Sequence, residues 1–252
     1  MFGFGKRAKI FDGKSKNEQV LAEMKSAVDQ KKRVAPYEPF ILTGHELAEI
    51  ILDCVAEEPE HALDTALVIV GSLAGYAAAL SAADAFEVLG PEGLQSGDYE
   101  QSEAANGEPI FAGALIDEAL ISGKSSFWRM VDAKGRSLIG DDVPMLGDIK
   151  DHVDQTARTD AFGMPRMPEG TRCLEKPRVL VEHLWPELIA TLTARRDDPA
   201  DWCMSWGFAA QELLEECRGQ IACADAMRIM MECAIPMSRL NPNVELEERL
   251  AA

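Results

Sequence analysis

Apolar and polar positions along most of the chain follow the spacing of amphipathic helices. Leu47, Ile51 and Val55 fall on one side of a predicted helix, and the acids Glu49 and Asp53 fall on the opposite side. Apolar residues three and four apart form the stripe that a helix buries against a core. The same spacing predicts further helices over residues 15–32, 147–158, 186–196, 198–217 and 221–234.

The start of the first body helix is predicted from local residue types. Thr43 and Glu46 have the spacing of a capping box, in which each side chain satisfies a backbone N–H of the first helical turn. Pro36 and Pro39 precede them and favour extended backbone at the residues before each proline. We therefore expect an extended linker up to Leu42 and a helix that begins at Thr43.

The longest apolar segment predicts a central helix over about 60–89. Residues 65–83 run for 19 positions without a charge, and seven of them are alanine. That length also fits a membrane span. The many small residues, the flanking Asp64 and Asp84, and the lack of nearby Lys or Arg favour a helix buried on all sides. Gly71 and Gly75 then allow a neighbouring segment to approach closely.

β-structure is expected to be minor. Residues 92–107 have a loop composition, whereas 109–113 and 137–139 are the two short segments that favour strands. The predicted fold is mainly α: a compact multi-helix domain of roughly eight helices around the buried helix at about 60–89, with at most a small β-hairpin in 108–140.

Charge divides the chain into two parts. Residues 1–33 carry nine Lys or Arg and four Asp or Glu, a net of +5, so the other 219 residues carry −23 of the total of −18. We expect a basic N-terminal arm with a possible helix at 1–33 and a single acidic helical domain at 34–252. An acidic body repels phosphate backbones, so no nucleic-acid partner is expected.

The six cysteines predict a reducing environment. None of them has C-x-x-C spacing, and most lie in apolar helical segments. The first seven residues lack the apolar core of a secretory signal. We therefore expect a cytoplasmic protein whose cysteines are reduced and pack as small apolar residues, without disulfides or zinc.

The long segment 159–177 is the best candidate for a ligand site. It contains three prolines and two glycines without helical spacing, and loops of this length are often functional. Cationic side chains and a thiol near it are suited to binding an anion, and cations around the thiol would lower its pKa. The candidate ligand-binding residues are His152, Arg158, Arg166, Arg172 and Cys173. The alternative is that these arginines pair with acids of the body and hold the loop in place.

No metal or cofactor is predicted. Asp148 and His152 lie one helical turn apart, and Glu58 and His61 have E-x-x-H spacing, but a solvated acidic face explains the first pair and the second lacks a matching partner motif. Phosphate-binding, dinucleotide, serine-hydrolase and zinc-protease motifs do not occur in the chain. The sequence leaves open whether the protein is an enzyme.

Two functions remain after these exclusions. The leading hypothesis is a non-enzymatic protein-interaction or oligomeric scaffold module, with a homo-oligomer or another protein as partner. The alternative is a small-molecule enzyme or anion-binding protein with a site beside the 152–178 loop. Residues 1–14 combine Phe2, Phe4 and Phe11 with four Lys or Arg, which allows weak peripheral membrane contact, whereas no transmembrane segment is expected.

Overall fold

The structure, a computed structural model, describes residues 36–57, 59–93, 95–103, 109–157, 159–195 and 198–242. The predicted helix 15–32, the arm 1–14 and Arg158 lie outside these residues. The helices and strands are α1 (Glu38–Val55), α2 (Ala62–Gly93), β1 (Glu100–Glu103), β2 (Pro109–Ala112), α3 (Ala114–Asp117, continued by a π turn Glu118–Ser122), α4 (Phe127–Ile139), α5 (Leu146–Thr156), α6 (Pro177–Arg195), α7 (Trp202–Glu216) and α8 (Cys223–Met237).

The mainly α fold predicted from the sequence is confirmed. Helix α2 is its centre: residues 64–79 are buried without interruption. It packs against α8, α7, α6 and α1, and α1 in turn packs on α7. Within the described part of the chain, one helix, Ala62–Gly90, is long and apolar enough to cross a membrane, and 89% of its most apolar window is buried by the protein itself.

The two glycines of α2 form its closest contact with α8. A Cβ placed on Gly71 would lie 2.3 Å from the carbonyl oxygen of Met230, and one on Gly75 would lie 2.1 Å from that of Ala234. These distances are far below ordinary carbon–oxygen contact, so only glycine fits at either position. The G-x-x-x-G spacing therefore lets the two helix backbones approach within the protein core, as the sequence suggested.

Two predicted helix starts are wrong. Helix α1 begins at Glu38, with Pro39 in its first turn, and Thr43 is buried inside the helix, so the predicted capping box does not form. Proline suits a first helical turn because the N–H it lacks has no acceptor there. Helix α6 begins at Pro177 rather than near 186, and it contains Pro186. Pro186 is exposed, so the carbonyl it leaves without a donor can face solvent.

The β-hairpin contains one of the two predicted strands, because β2 lies within the predicted segment 109–113, but its pairing partner differs from the predicted one. β2 pairs antiparallel with β1, from Glu100 opposite Ala112 to Glu103 opposite Pro109. The expected strand at 137–139 is wrong because those residues form the last turn of α4. β1 was not predicted because residues 92–107 have the composition of a loop. This strand is polar and lies on the outside, where few apolar residues are required.

Candidate functional site

The loop 157–176 is fastened to the body by a buried glutamate of α8. The side chain of Glu232 is fully buried. Its Oε2 accepts a hydrogen bond from the backbone N–H of Arg166 at 2.6 Å, and its Oε1 accepts one from Nε of Arg166, also at 2.6 Å. Nε2 of His152 lies 3.8 Å from Oε2 of the same carboxylate. The structure thus brings two of the predicted site residues together around a carboxylate.

This geometry fills the predicted anion-binding position with a group of the protein itself. The forked guanidinium of arginine matches a planar carboxylate, and here Glu232 supplies that carboxylate. The side chain of Arg166 remains 41% exposed, whereas that of Glu232 is inaccessible to solvent. Arg228 donates to the backbone oxygen of Arg166 at 3.4 Å and adds a further link between the loop and α8. An external anion would therefore have to compete with Glu232 for Arg166.

A second buried acid holds the other end of the loop. Oδ2 of Asp64, at the start of α2, accepts a hydrogen bond from the backbone N–H of Arg172 at 3.1 Å. Nδ1 of His61 lies 3.1 Å from the same oxygen. The side chain of Arg172 is exposed. Arg172 thus contributes its backbone, not its guanidinium, to the contact with Asp64.

Cys173 does not have the reactive character expected from its cationic neighbours. Its Sγ donates to the backbone oxygen of Glu175 at 2.9 Å. Burial raises the pKa of this thiol to about 11, and the nearby charge of Glu175 also raises it. The predicted lowering of the pKa is wrong because burial of the thiol is the largest influence on it. A thiol with this pKa is almost entirely protonated at neutral pH and is a poor nucleophile.

Burial also raises the pKa of other thiols in the protein. Burial raises the pKa of Cys203 and Cys217 to about 12 and that of Cys233 well above its ordinary value. All six cysteines are free thiols. Among the described residues no group of three or more His, Cys, Asp or Glu is arranged to hold a metal ion.

An exposed apolar surface lies at the far end of α2. Phe86, Val88 and Leu89, which we call the α2 end patch, are 38%, 79% and 47% exposed. Gly90, with a φ of 63°, interrupts the helix directly after them. They follow the buried residues 64–79 because α2 is longer than the bundle around it. The last turns of the helix therefore extend beyond the core with apolar side chains on their surface.

The hairpin supports this patch with stacked aromatic rings. The ring centroids of Phe86 and Tyr99 are 5.1 Å apart, and those of Tyr99 and Phe111 are also 5.1 Å apart with their planes at 21°. The backbone N–H of Phe111 donates to the oxygen of Arg239 at 2.9 Å, which fixes the hairpin to the end of α8. Burial raises the pKa of Tyr99 to about 12. The aromatic stack thus holds the α2 end patch in a defined position.

No protein family, curated protein or solved structure matches this chain. The roles of Glu232 and Asp64 are not visible in the sequence, because an isolated acid in an apolar helical segment does not reveal which distant backbone it will contact. The α2 end patch is not visible in the sequence either, since Val88 and Leu89 continue the apolar composition of the buried part of α2 without a change in pattern.

A shallow groove of about 330 Å³ lies between the end of α4 and the α7–α8 turn. Its lining includes the apolar side chains of Leu138, Leu214 and Ile221. Arg218 reaches its edge, but its NH1 already contacts Glu215 at 3.1 Å. The groove is therefore concave, but the charge of Arg218 at its edge is already paired and is not available to orient a polar ligand.

Proposed function

We propose that the protein is a non-enzymatic interaction module that assembles with a second copy of itself through the α2 end patch. The observation that carries the proposal is the exposure of Val88, at 79%, beside Leu89 and Phe86 at the end of one helix. Exposure of contiguous apolar side chains to water is unfavourable, and burial of such a patch in an interface is favourable. Patches of this kind commonly mark interfaces.

Self-association is the simplest use of this surface. Most soluble oligomers are two-fold symmetric, and one patch then pairs with its own copy. The α2 end patch includes a single charged neighbour within its span, Glu87. Its aromatic support is already ordered by Tyr99 and Phe111, so association would cost little further side-chain entropy. A stable interface buries about 1,200–2,000 Å² in total, so the patch would form its apolar centre and the polar surface of the hairpin its rim.

Two further observations support a binding role over catalysis. The carboxylates of Glu232 and Asp64 accept hydrogen bonds from the backbone N–H groups of Arg166 and Arg172, which supports a role of these two residues in holding the loop 157–176. The raised pKa values of Cys173, Cys203 and Cys217 make these thiols poor nucleophiles. As part of the proposal, the protein functions in the reducing cytoplasm, uses neither metal nor nucleic acid, and keeps α2 inside the protein rather than in a membrane.

The test is the dependence of mass on concentration, measured by sedimentation and by light scattering. We expect the wild-type chain to form a dimer and the double variant Val88→Glu/Leu89→Glu to be monomeric, because two buried carboxylates would each require desolvation. The matched control is Met145→Glu, since Met145 is 68% exposed but lies away from α2, before α5. This control should keep the wild-type mass. A wild-type chain that stays monomeric at high concentration would refute the proposal.

A further inference from the structure

The small sheet has one edge that the protein itself occupies. It contains two strands, β1 and β2, which pair antiparallel. The backbone N–H of Phe111 in β2 points away from β1, because it donates to the oxygen of Arg239 at 2.9 Å. Pro109, the first residue of β2, has no N–H to offer. The outer edge of β2 is therefore occupied by the chain at the end of α8.

The other edge of the sheet, on β1, is open. In an antiparallel pair, directly opposite residues alternate between exchanging both backbone hydrogen bonds and exchanging none. Gln101 lies opposite Phe111, and Glu103 lies opposite Pro109. Since the N–H of Phe111 is directed outward, the backbone N–H and C=O groups of Gln101 and Glu103 also point away from the partner strand. Within the described residues these groups have no hydrogen-bond partner, and the first three residues of β1 are exposed.

We propose that the open edge of β1 pairs antiparallel with the same edge of a second copy, so that the two hairpins form one four-stranded sheet. This inference rests on the proposed self-association and describes how that dimer is built. An open edge presents a row of backbone donors and acceptors that another strand can use. A two-fold axis, the commonest symmetry of soluble oligomers, brings two identical edges together in antiparallel directions.

The open edge of β1 is continuous with the α2 end patch. Directly opposite residues lie on one face of a sheet, so Gln101 shares a face with Phe111. Tyr99 stacks on Phe111, and Phe86 of the patch contacts Tyr99. In the paired sheet both α2 end patches therefore lie on the same side of the sheet. Three apolar side chains are far fewer than the roughly 20–30 residues that each partner contributes to a stable interface, and the paired strands extend the contact.

The residues of β1 favour one register. Outward-pointing residues must oppose outward-pointing residues, so the register changes in steps of two. With Gln101 opposite Glu103 of the second copy, both symmetry-related pairs exchange two backbone hydrogen bonds, and Ser102 lies opposite its own copy. A shift by one step halves the bonds between these residues. A shift by two steps sets Glu100 opposite its own copy, where like charges repel.

A disulfide cross-link through Ser102→Cys tests this register. Opposite residues that exchange no backbone bonds have Cα atoms about 4.5 Å apart, within the range that a disulfide spans. We expect oxidised glutathione to join this variant into a covalent dimer. Glu100→Cys is the matched control, because it is also exposed on β1 but would lie about 14 Å from its copy. It should link at least tenfold more slowly, and the wild-type thiols should give no covalent dimer.

Replacement of Gln101 tests the backbone pairing itself. The N–H of Gln101 points outward, so proline at this position removes no hydrogen bond of the hairpin, and edge strands tolerate proline there. We expect Gln101→Pro to raise the dissociation constant of the dimer about tenfold or more in sedimentation, because each copy loses a donor to the other. Gln101→Ala keeps the N–H and should associate like the wild type.

The outcomes separate this inference from the proposed function. A wild-type chain that stays monomeric would remove both. A dimer that Val88→Glu/Leu89→Glu disrupts, but in which Ser102→Cys does not link or Gln101→Pro leaves the dissociation constant unchanged, would overturn the four-stranded sheet alone. Equal linking rates of Glu100→Cys and Ser102→Cys would also overturn it, since they would show that the strands do not meet in this register.

Discussion

Substitution of Gly75 by alanine should destabilise the protein substantially through a single methyl group. The new Cβ would lie 2.1 Å from the carbonyl oxygen of Ala234 and 2.8 Å from its Cα. Ordinary carbon–oxygen contacts are about 3.3–3.6 Å. Both neighbouring atoms belong to the backbone of α8, so no side-chain rotation relieves the clash. Helix α8 would have to move away from α2 by about 1 Å, and α2–α8 is the most extensive helix contact in the structure.

The magnitude follows from two opposing effects. Overpacking of a well-packed core costs about 1–3 kcal/mol, and a gap of 0.5–1 Å elsewhere along the interface forfeits roughly a quarter to a half of each dispersion contact. The higher helix propensity of alanine returns about 1 kcal/mol. Because the displacement affects a whole helix pair, we expect a cost near the upper end of that range, which leaves a net loss of about 2 kcal/mol in the free energy of unfolding after the propensity gain.

Urea unfolding followed by circular dichroism measures this loss, and Gly147→Ala is the matched control. A Cβ on Gly147 would meet no atom within 4 Å, so this variant should gain up to about 1 kcal/mol from helix propensity alone. Gly71→Ala should resemble Gly75→Ala, and the double variant should cost less than the sum of the two, because one displacement of α8 accommodates both methyl groups. Wild-type stability in Gly75→Ala would refute the close-contact argument.

Three further predictions concern the loop and the thiols. Glu232→Gln should lower the free energy of unfolding by about 2–3 kcal/mol, because the Arg166 guanidinium loses its buried counter-charge; a loss below 0.5 kcal/mol on urea unfolding would contradict this. Alkylation of Cys173 by iodoacetamide in the folded protein should be slow at pH 8 and accelerate toward pH 11, the pKa that burial gives its thiol, and fast reaction at pH 8 would show it accessible as thiolate. Cys203 has a folded pKa of about 12, raised from 9.0, so its contribution to stability is complete below pH 9 and is lost as the pH rises toward 12. Between these values wild-type unfolding free energy should fall about 1.4 kcal/mol per pH unit more steeply than that of Cys203→Ala, and equal slopes would contradict the assignment.

The sequence predicted the central helix because the uncharged pattern extends over the whole segment and does not depend on a few local residues. Nineteen positions without a charge admit few structures in a chain of this composition, and the structure buries residues 64–79 on every side. The start of α1 depended instead on two competing local patterns. The pair Thr43 and Glu46 matches a capping box, but Pro39 is equally suited to a first turn. Tertiary contacts decided between them: Thr43 is buried, and Glu46 pairs with Arg195 of α6.

The candidate site could be predicted only in part from the sequence. The cations near 152–178 were visible in the sequence, and so was the alternative that acids of the body hold them. The sequence did not show which acids hold the loop, because Glu232 lies 66 residues beyond Arg166 and Asp64 lies 108 residues before Arg172. Helical spacing predicts which side of α8 is buried but not which distant backbone ends beside it. The raised pKa of Cys173 was missed for the same reason, since the burial that raises it depends on tertiary packing.

The position of Glu232 in the chain has a consequence for synthesis on the ribosome. The loop around Arg166 is made 66 residues before the glutamate that fixes it. At about 5–20 residues per second the ribosome needs roughly 3–13 s to supply that anchor. During this interval the early helices can already surround α2 on one side, whereas the surface that α8 will cover, with Gly71 and Gly75 at its centre, is still uncovered. The growing chain therefore keeps this surface of α2 accessible to chaperones and proteases until α8 has been made and has packed on it.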